Sequence, residues 1–153
     1  MRVRVHAEVE TDVAAETIRK ALLDFSDRRL EIWSKTLDPK SYEVHEIGDT
    51  WAVVKEGNRF PKLWSRERYD WSTPNTISWI SQDSDFCTPG SGITMVITPD
   101  DGGGSHVAVT WDRTSKNLKG WLWLLGPRIG GERMLRWATK QALRSAAKAV
   151  PPS

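Results

Sequence analysis

The sequence predicts an α+β fold: one antiparallel sheet of seven strands, two short helices between strands 1 and 2, and one long C-terminal helix. Two observations predict it. Period-two hydrophobic alternation recurs in seven stretches, and the last six follow one another in hairpin succession. Strands joined so closely can only be antiparallel neighbours. The final third of the chain then changes to a helical repeat.

Each element has its own signal. Val3, Val5, Ala7 and Val9 alternate with charged residues, giving a first strand with one wet face. Thr11 or Asp12 is placed to cap a helix over roughly 13–25, which gathers Val13, Ile18, Ala21, Leu22 and Phe25 on one side. Ser26 and Asp27 break that helix and start a second one containing Leu30, Ile32 and Trp33. Strands are then expected over 42–48, 51–57, 63–71, 76–83, 93–98 and 106–113. Gly-Asp-Thr, Ser-Thr-Pro-Asn and PDDGGG mark turns between them, and DSDFCTPGSG marks a looser loop. A helix over about 131–149 carries an apolar stripe (Met134, Leu135, Ala138, Ala142, Ala146, Ala149). It also carries a basic stripe (Arg133, Arg136, Lys140, Arg144, Lys148), which a solvated face explains.

A chain of 153 residues, 39% hydrophobic and 27% charged, fits one globular domain over 1–150, with disorder expected only at 151–153. A net charge of +2 is too small to argue for nucleic acid, so no nucleic-acid partner is expected. The lone Cys87 permits no internal disulfide and fits a cytoplasmic location. No Cys/His cluster has zinc spacing, and GPRIGGER lacks the glycine spacing of a nucleotide loop, so neither metal nor cofactor is expected. The charged, alternating N-terminus does not read as a signal peptide. The most apolar run, GWLWLLGP at 120–127, falls short of the ~18 residues a membrane span needs. Stable insertion is therefore not expected, although its tryptophans and leucines beside basic residues leave room for transient surface contact. Nine tryptophans, where average usage gives about two, point to an aromatic core or pocket wall.

Two segments carry a family resemblance. EIWSKTLDPKSYEVHEIGDTWAVVKEG, residues 31–57, resembles the part of polyketide cyclase/dehydrase-type proteins in which a Trp near the second helix precedes a strand ending in Gly. PDDGGGSHVAVTW resembles the Gly-rich turn and following strand of the same family. With the element order, they make the chain similar to the START and birch-pollen-allergen-like (SRPBCC) superfamily. That resemblance implies a helix-grip fold, a strongly curved sheet wrapped around the long helix over an apolar cavity. It implies binding of lipids, sterols, hormones or polyketides, with catalysis in some members and carriage alone in others. It also places 120–127 in a loop or turn leading into the gripping helix, where some of its side chains would form a lid over the cavity. No catalytic motif of the family maps onto this sequence.

Strand parity then supplies candidates. The concave face is expected to hold Val3, Val5, Val44, Trp51, Val53, Ile77, Trp79, Ile93, Met95, Ile97, Val107, Val109 and Trp111. On 63–71 the more apolar parity, Leu63, Ser65, Glu67, Tyr69 and Trp71, is placed inward. This buries Glu67 beside Tyr69, with Arg113 as its expected partner, so these three are the catalytic candidates. A structural ion pair at the sheet edge, or the opposite parity of the strand, explains the same residues more simply. The ligand-binding candidates are Trp51, Trp71, Trp79, Met95, Trp111, Trp121, Trp123, Leu135 and Ala138. Cys87 reads as a small buried hydrophobe, and His6, His45 and His106 as surface residues. The expected function is to bind a small hydrophobic ligand (lipid-like, aromatic or polyketide-like) as carrier or sensor, as a monomer or homodimer. The alternative is an aromatase/cyclase or dehydratase using the same cavity.

Overall fold

The computed structural model describes residues 1–149, so the disorder expected at 151–153 lies outside the described residues. The strands are β1 (Arg2–Thr11), β2 (Glu43–Ile47), β3 (Trp51–Asn58), β4 (Leu63–Asp70), β5 (Thr76–Ser84), β6 (Gly92–Pro99) and β7 (Ser105–Thr114). The helices are α1 (Ala15–Leu22), α2 (Arg29–Ile32) and α3 (Leu118–Ala149), with a 3-10 turn at Pro39–Ser41. All seven strands form one antiparallel sheet in the order β1-β7-β6-β5-β4-β3-β2. The first strand pairs with the last, and hairpins make every other link. With α3 laid across the inner face and α1 and α2 beside it, this is the helix-grip fold.

Burial follows from alternation. Along β1, β3, β4 and β7 buried residues alternate with more exposed ones, as a sheet with one wet face requires. Cross-strand partners share a face, so the register carries the inner surface from strand to strand. One inner row runs Val5, Trp111, Ile93, Trp79, Tyr69, Ala52. The next runs Ala7, Val109, Met95, Ile77.

The structure corrects four local expectations. On β3 the inward residues are Ala52, Val54 and Glu56, so Trp51 and Val53 lie on the convex face. Residues 51–54 are apolar at every position, so alternation could not choose between the two parities. Trp51 covers Gly48, where an added Cβ would lie 2.3 Å from the indole Nε1, and the Arg68 guanidinium sits 5.4 Å from its ring. Helix α1 starts without a side-chain cap at Ala14, and the Thr11 hydroxyl instead accepts the Val13 N–H at 3.2 Å.

Residues 120–127 are helical rather than a loop. Asn117 caps α3 by accepting the Gly120 N–H at 2.9 Å, and the helix continues through Pro127 to a break at Gly131 (φ 52°, ψ −137°). The Gly-Pro pair does not end it because the preceding turn is anchored. Leu124 is fully buried, and Trp123 packs on Leu63, Phe86 and Cys87. Finally, Ala138 is exposed, and Thr139 and Leu143 take the inner positions beside Leu135, Ala142 and Ala146.

Candidate functional site

Close packing is the normal state of a protein interior, so inward residues that stay accessible mark empty space. The row through Tyr69 shows this. Val5, Trp111, Ile93 and Trp79 all face α3, yet each is only half-buried, whereas Ala7, Val109, Met95 and Ile77 in the next row are buried. Between that row and α3 lies a cavity of about 340 Å³. Trp33, Trp79, Trp111 and Trp123 line it, with Ile93, Met95, Phe86 and Ala142. Trp64 borders it while its ring lies 4.8 Å from the Lys55 ammonium.

Two buried charge clusters are set into this apolar wall. In the first, Arg113 Nη2 donates to Glu67 Oε1 at 3.1 Å, with side-chain exposures of 8% and 6%. Arg113 Nη1 reaches the Cys87 sulfur at 3.5 Å, and its guanidinium lies 5.6 Å from the Phe86 ring and 5.8 Å from the Trp111 ring. Glu67 Oε2 has no hydrogen-bond partner. Burial pushes the Glu67 carboxyl above the usual carboxylate range, and the Arg113 charge only partly opposes it.

The second cluster was not legible in the sequence. Arg29 is buried, donating from Nη1 to the carbonyls of Leu22 and Asp24 at 2.9 and 3.1 Å. Its Nη2 donates to Glu56 Oε1 at 3.0 Å and to the Tyr69 hydroxyl oxygen at 2.9 Å. Tyr69 in turn donates to Glu56 Oε1 at 2.6 Å. Burial alone would lower the Arg29 pKa, but Glu56, Tyr69 and Tyr42 together outweigh it and keep the guanidinium charged. Burial and Glu56 together raise the Tyr69 phenol well above its ordinary value. The Tyr69 ring is held by Phe25 (5.1 Å, edge to face) and Trp79 (5.5 Å, stacked).

Glu67, Tyr69 and Arg113 therefore all line the cavity, as parity placed them, and the Glu67–Arg113 pair forms. The Tyr69 hydroxyl is committed on both sides, which leaves Glu67 as the group with a spare acceptor. Among the ligand-binding candidates, Trp79, Met95, Trp111 and Trp123 line the cavity. Trp71 and Leu135 pack instead against the main core, Trp71 stacking on Phe25 at 6.0 Å. Trp51 is on the convex face, and Trp121 and Ala138 face solvent. Glu56 was missed because the parity of β3 was read inverted. Arg29 was missed because nothing in Asp-Arg-Arg-Leu-Glu says which arginine turns inward.

Cys87 is fully buried, as expected of a small hydrophobe. His6 and His45 are exposed, and His106 sits on the outer face between Glu8 and Glu10. Among the described residues no helix is long and apolar enough to cross a membrane.

A curved antiparallel sheet gripping one long helix over a cavity is the architecture shared by START-like proteins, and solved structures bear this out. The chain is similar to a START superfamily protein from Mycobacterium smegmatis at 17% identity and a TM-score of 0.61, covering 95% of this chain and 92% of that one. It is similar to the Zhui aromatase/cyclase from Streptomyces sp. R1128 at 14% identity and 0.63, covering 97% and 88%. Norcoclaurine synthase from Thalictrum flavum, solved with dopamine and hydroxybenzaldehyde, matches at 8% identity and 0.68, covering 100% and 90%. At such identities the likeness shows the fold. No family model and no curated protein matches the sequence.

Proposed function

We propose that the protein binds a small, largely aromatic molecule in the cavity between the sheet and α3, as a carrier or sensor. The observation that carries this is the half-buried inner row, of which Trp111, Ile93 and Trp79 line a cavity of about 340 Å³. Binding sites of small ligands start at roughly 300 Å³, so the cavity suits a compact molecule rather than a long acyl chain. Its charged groups are confined to the two clusters, and Thr36, Asn58 and Ser65 add neutral polar lining. A ligand oxygen near Arg113 and Glu67 would therefore be oriented, while the tryptophans hold the rings. The START-like and aromatase/cyclase neighbours support a ligand-binding reading of this fold.

The test is displacement of the fluorescent probe 1-anilinonaphthalene-8-sulfonate from the purified protein. Ethylnaphthalene, acetylnaphthalene and a hydroxy-acetylnaphthalene should compete with rising strength in that order. Each added hydrogen bond is worth about 0.5–1.5 kcal/mol, or roughly two- to twelvefold. Absence of any saturable binding, or strongest competition by the hydrocarbon, would count against the proposal.

One observation favours a second reading, an aromatase/cyclase or dehydratase acting on a polyketide-like substrate in the same cavity. Glu67 lines the cavity, has an elevated pKa and has a buried Oε2 without a partner, which suits a carboxyl that exchanges a proton with a bound molecule once the ligand or a side-chain rotation brings Oε2 into reach. Turnover of an aromatic polyketide mimic that disappears in Glu67→Gln, while probe binding survives, would select it. Equal turnover in the variant would remove Glu67 from the chemistry.

A further inference from the structure

The helical segment before Gly131 is apolar on two opposite sides. Gly120, Trp123 and Leu124 face the protein, while Leu118, Trp121, Leu122 and Ile129 recur at helical spacing on the opposite side, 71%, 42%, 56% and 83% exposed. Six of the ten large hydrophobic side chains exposed among the described residues are on α3. A helix that is apolar all round is normally buried all round, so the outer side lacks a cover.

Charge says what the cover is. Helix α3 carries seven lysines and arginines against one glutamate, whereas the rest of the chain carries fifteen against nineteen. The basic excess of the protein is thus concentrated on the element that exposes the apolar side chains. Beyond Gly131 the two features interleave: Trp137, 64% exposed, lies on the same outer face as Arg133, Lys140 and Arg144. A second copy docked on this face would set two strongly basic helices against each other. A nucleic-acid backbone would satisfy the cations but not Leu122 or Ile129. An anionic lipid surface satisfies both, because apolar side chains enter the acyl boundary while cations pair with headgroups.

We propose that α3 docks on anionic membrane surfaces through both of its segments, the one before Gly131 inserting Trp121, Leu122 and Ile129 and the one beyond it setting Trp137 among Arg133, Lys140 and Arg144 at the headgroups. Trp123, on the inner side of the same segment, lines the cavity, so docking sets the cavity wall next to the bilayer.

The experiment is co-sedimentation of the full chain with phosphatidylcholine vesicles, with and without phosphatidylserine. Retention is expected on the anionic vesicles only, and it should weaken at high salt. Arg133→Gln, Lys140→Gln and Arg144→Gln combined should lower the partition coefficient about a hundredfold, at about fivefold per cation. Leu122→Ser with Ile129→Ser should lower it by about tenfold or more. None of these residues lines the cavity, so unchanged probe binding and thermal stability certify the fold and separate this proposal from the cavity reading. Three results would each overturn it: equal retention on neutral and anionic vesicles, a solution dimer dissolved by the Leu122/Ile129 pair, or binding to a DNA duplex without binding to vesicles.

Discussion

Glu67 and Arg113 show what a half-satisfied buried pair does to stability. Each charge costs several kcal/mol to take out of water, and one hydrogen bond between them returns only part of that. Glu67→Ala strands Arg113 without compensation and should cost about 3–5 kcal/mol in urea unfolding. Arg113→Met differs, because a carboxyl can escape by taking up a proton. The folded-state pKa of Glu67 is already raised by burial and would rise further without its partner. A carboxyl with a folded pKa above its unfolded value binds its proton more tightly when folded. Stability therefore falls as pH rises from about 4.3 through the raised folded value. In Arg113→Met that fall should reach higher pH than in the wild type, and parallel pH profiles would contradict the assignment. His106, on the convex face, acts in the same direction in a higher pH window. Hydrogen bonds to Glu10 and Glu8 raise its pKa, so its stabilising contribution is complete below about 6.5 and lost as pH climbs through the raised value. An NMR titration should place it above an ordinary histidine, and Glu10→Gln should bring it down.

At the scale of elements, sequence legibility depended on whether one parity was clearly more apolar. Over 63–71, Leu63, Ser65, Glu67, Tyr69 and Trp71 against Lys62, Trp64, Arg66, Arg68 and Asp70 left a narrower choice, and burial along β4 bears it out. On β3, Trp51–Val54 offered none, and the Glu56 side of the second cluster was lost with it. The segment 120–127 failed for another reason. Gly-Pro is a stop signal locally, but Trp123 packs on residues more than thirty positions away and Leu124 is fully buried. The start of α3 also depends on a long-range contact. A Cβ at Gly120 would lie 1.9 Å from the Phe86 carbonyl oxygen, so only glycine lets the helix approach that loop. Gly120→Ala gains up to about 1 kcal/mol of helix propensity and loses about 1–3 kcal/mol or more to the clash. The clash wins, since backbone moves less readily than a side-chain tip. A lower urea midpoint is expected, together with weaker probe binding, because Phe86 and Trp123 line the cavity; a raised midpoint would mean the 83–92 loop yields freely.

For the molecule as a whole, the fold was legible because hairpin order and one terminal helix leave few ways to close a seven-stranded sheet. The cavity was expected through the family resemblance and the tryptophan count, but its lining was only partly legible, because empty space is a property of how α3 sits on the sheet and no residue pattern encodes it directly. Its existence has a thermodynamic consequence. Wall atoms facing a void lack the dispersion contacts that a packed core would give them, so the protein is less stable than its sequence composition permits. If that void is kept for a ligand, filling it from within should trade binding for stability. Ala142 lies on α3 at the wall, and Ala142→Phe places a ring where the ligand is proposed to sit. The variant should lose competition between the naphthalene series and the fluorescent probe while unfolding at a higher temperature. A gain of about 1 kcal/mol corresponds to roughly 2–4 °C for a chain of this size. Calorimetry and probe titration on the same preparation read both quantities. A variant that binds as before while unfolding earlier would mean that Ala142 is already packed and that the probe sits elsewhere.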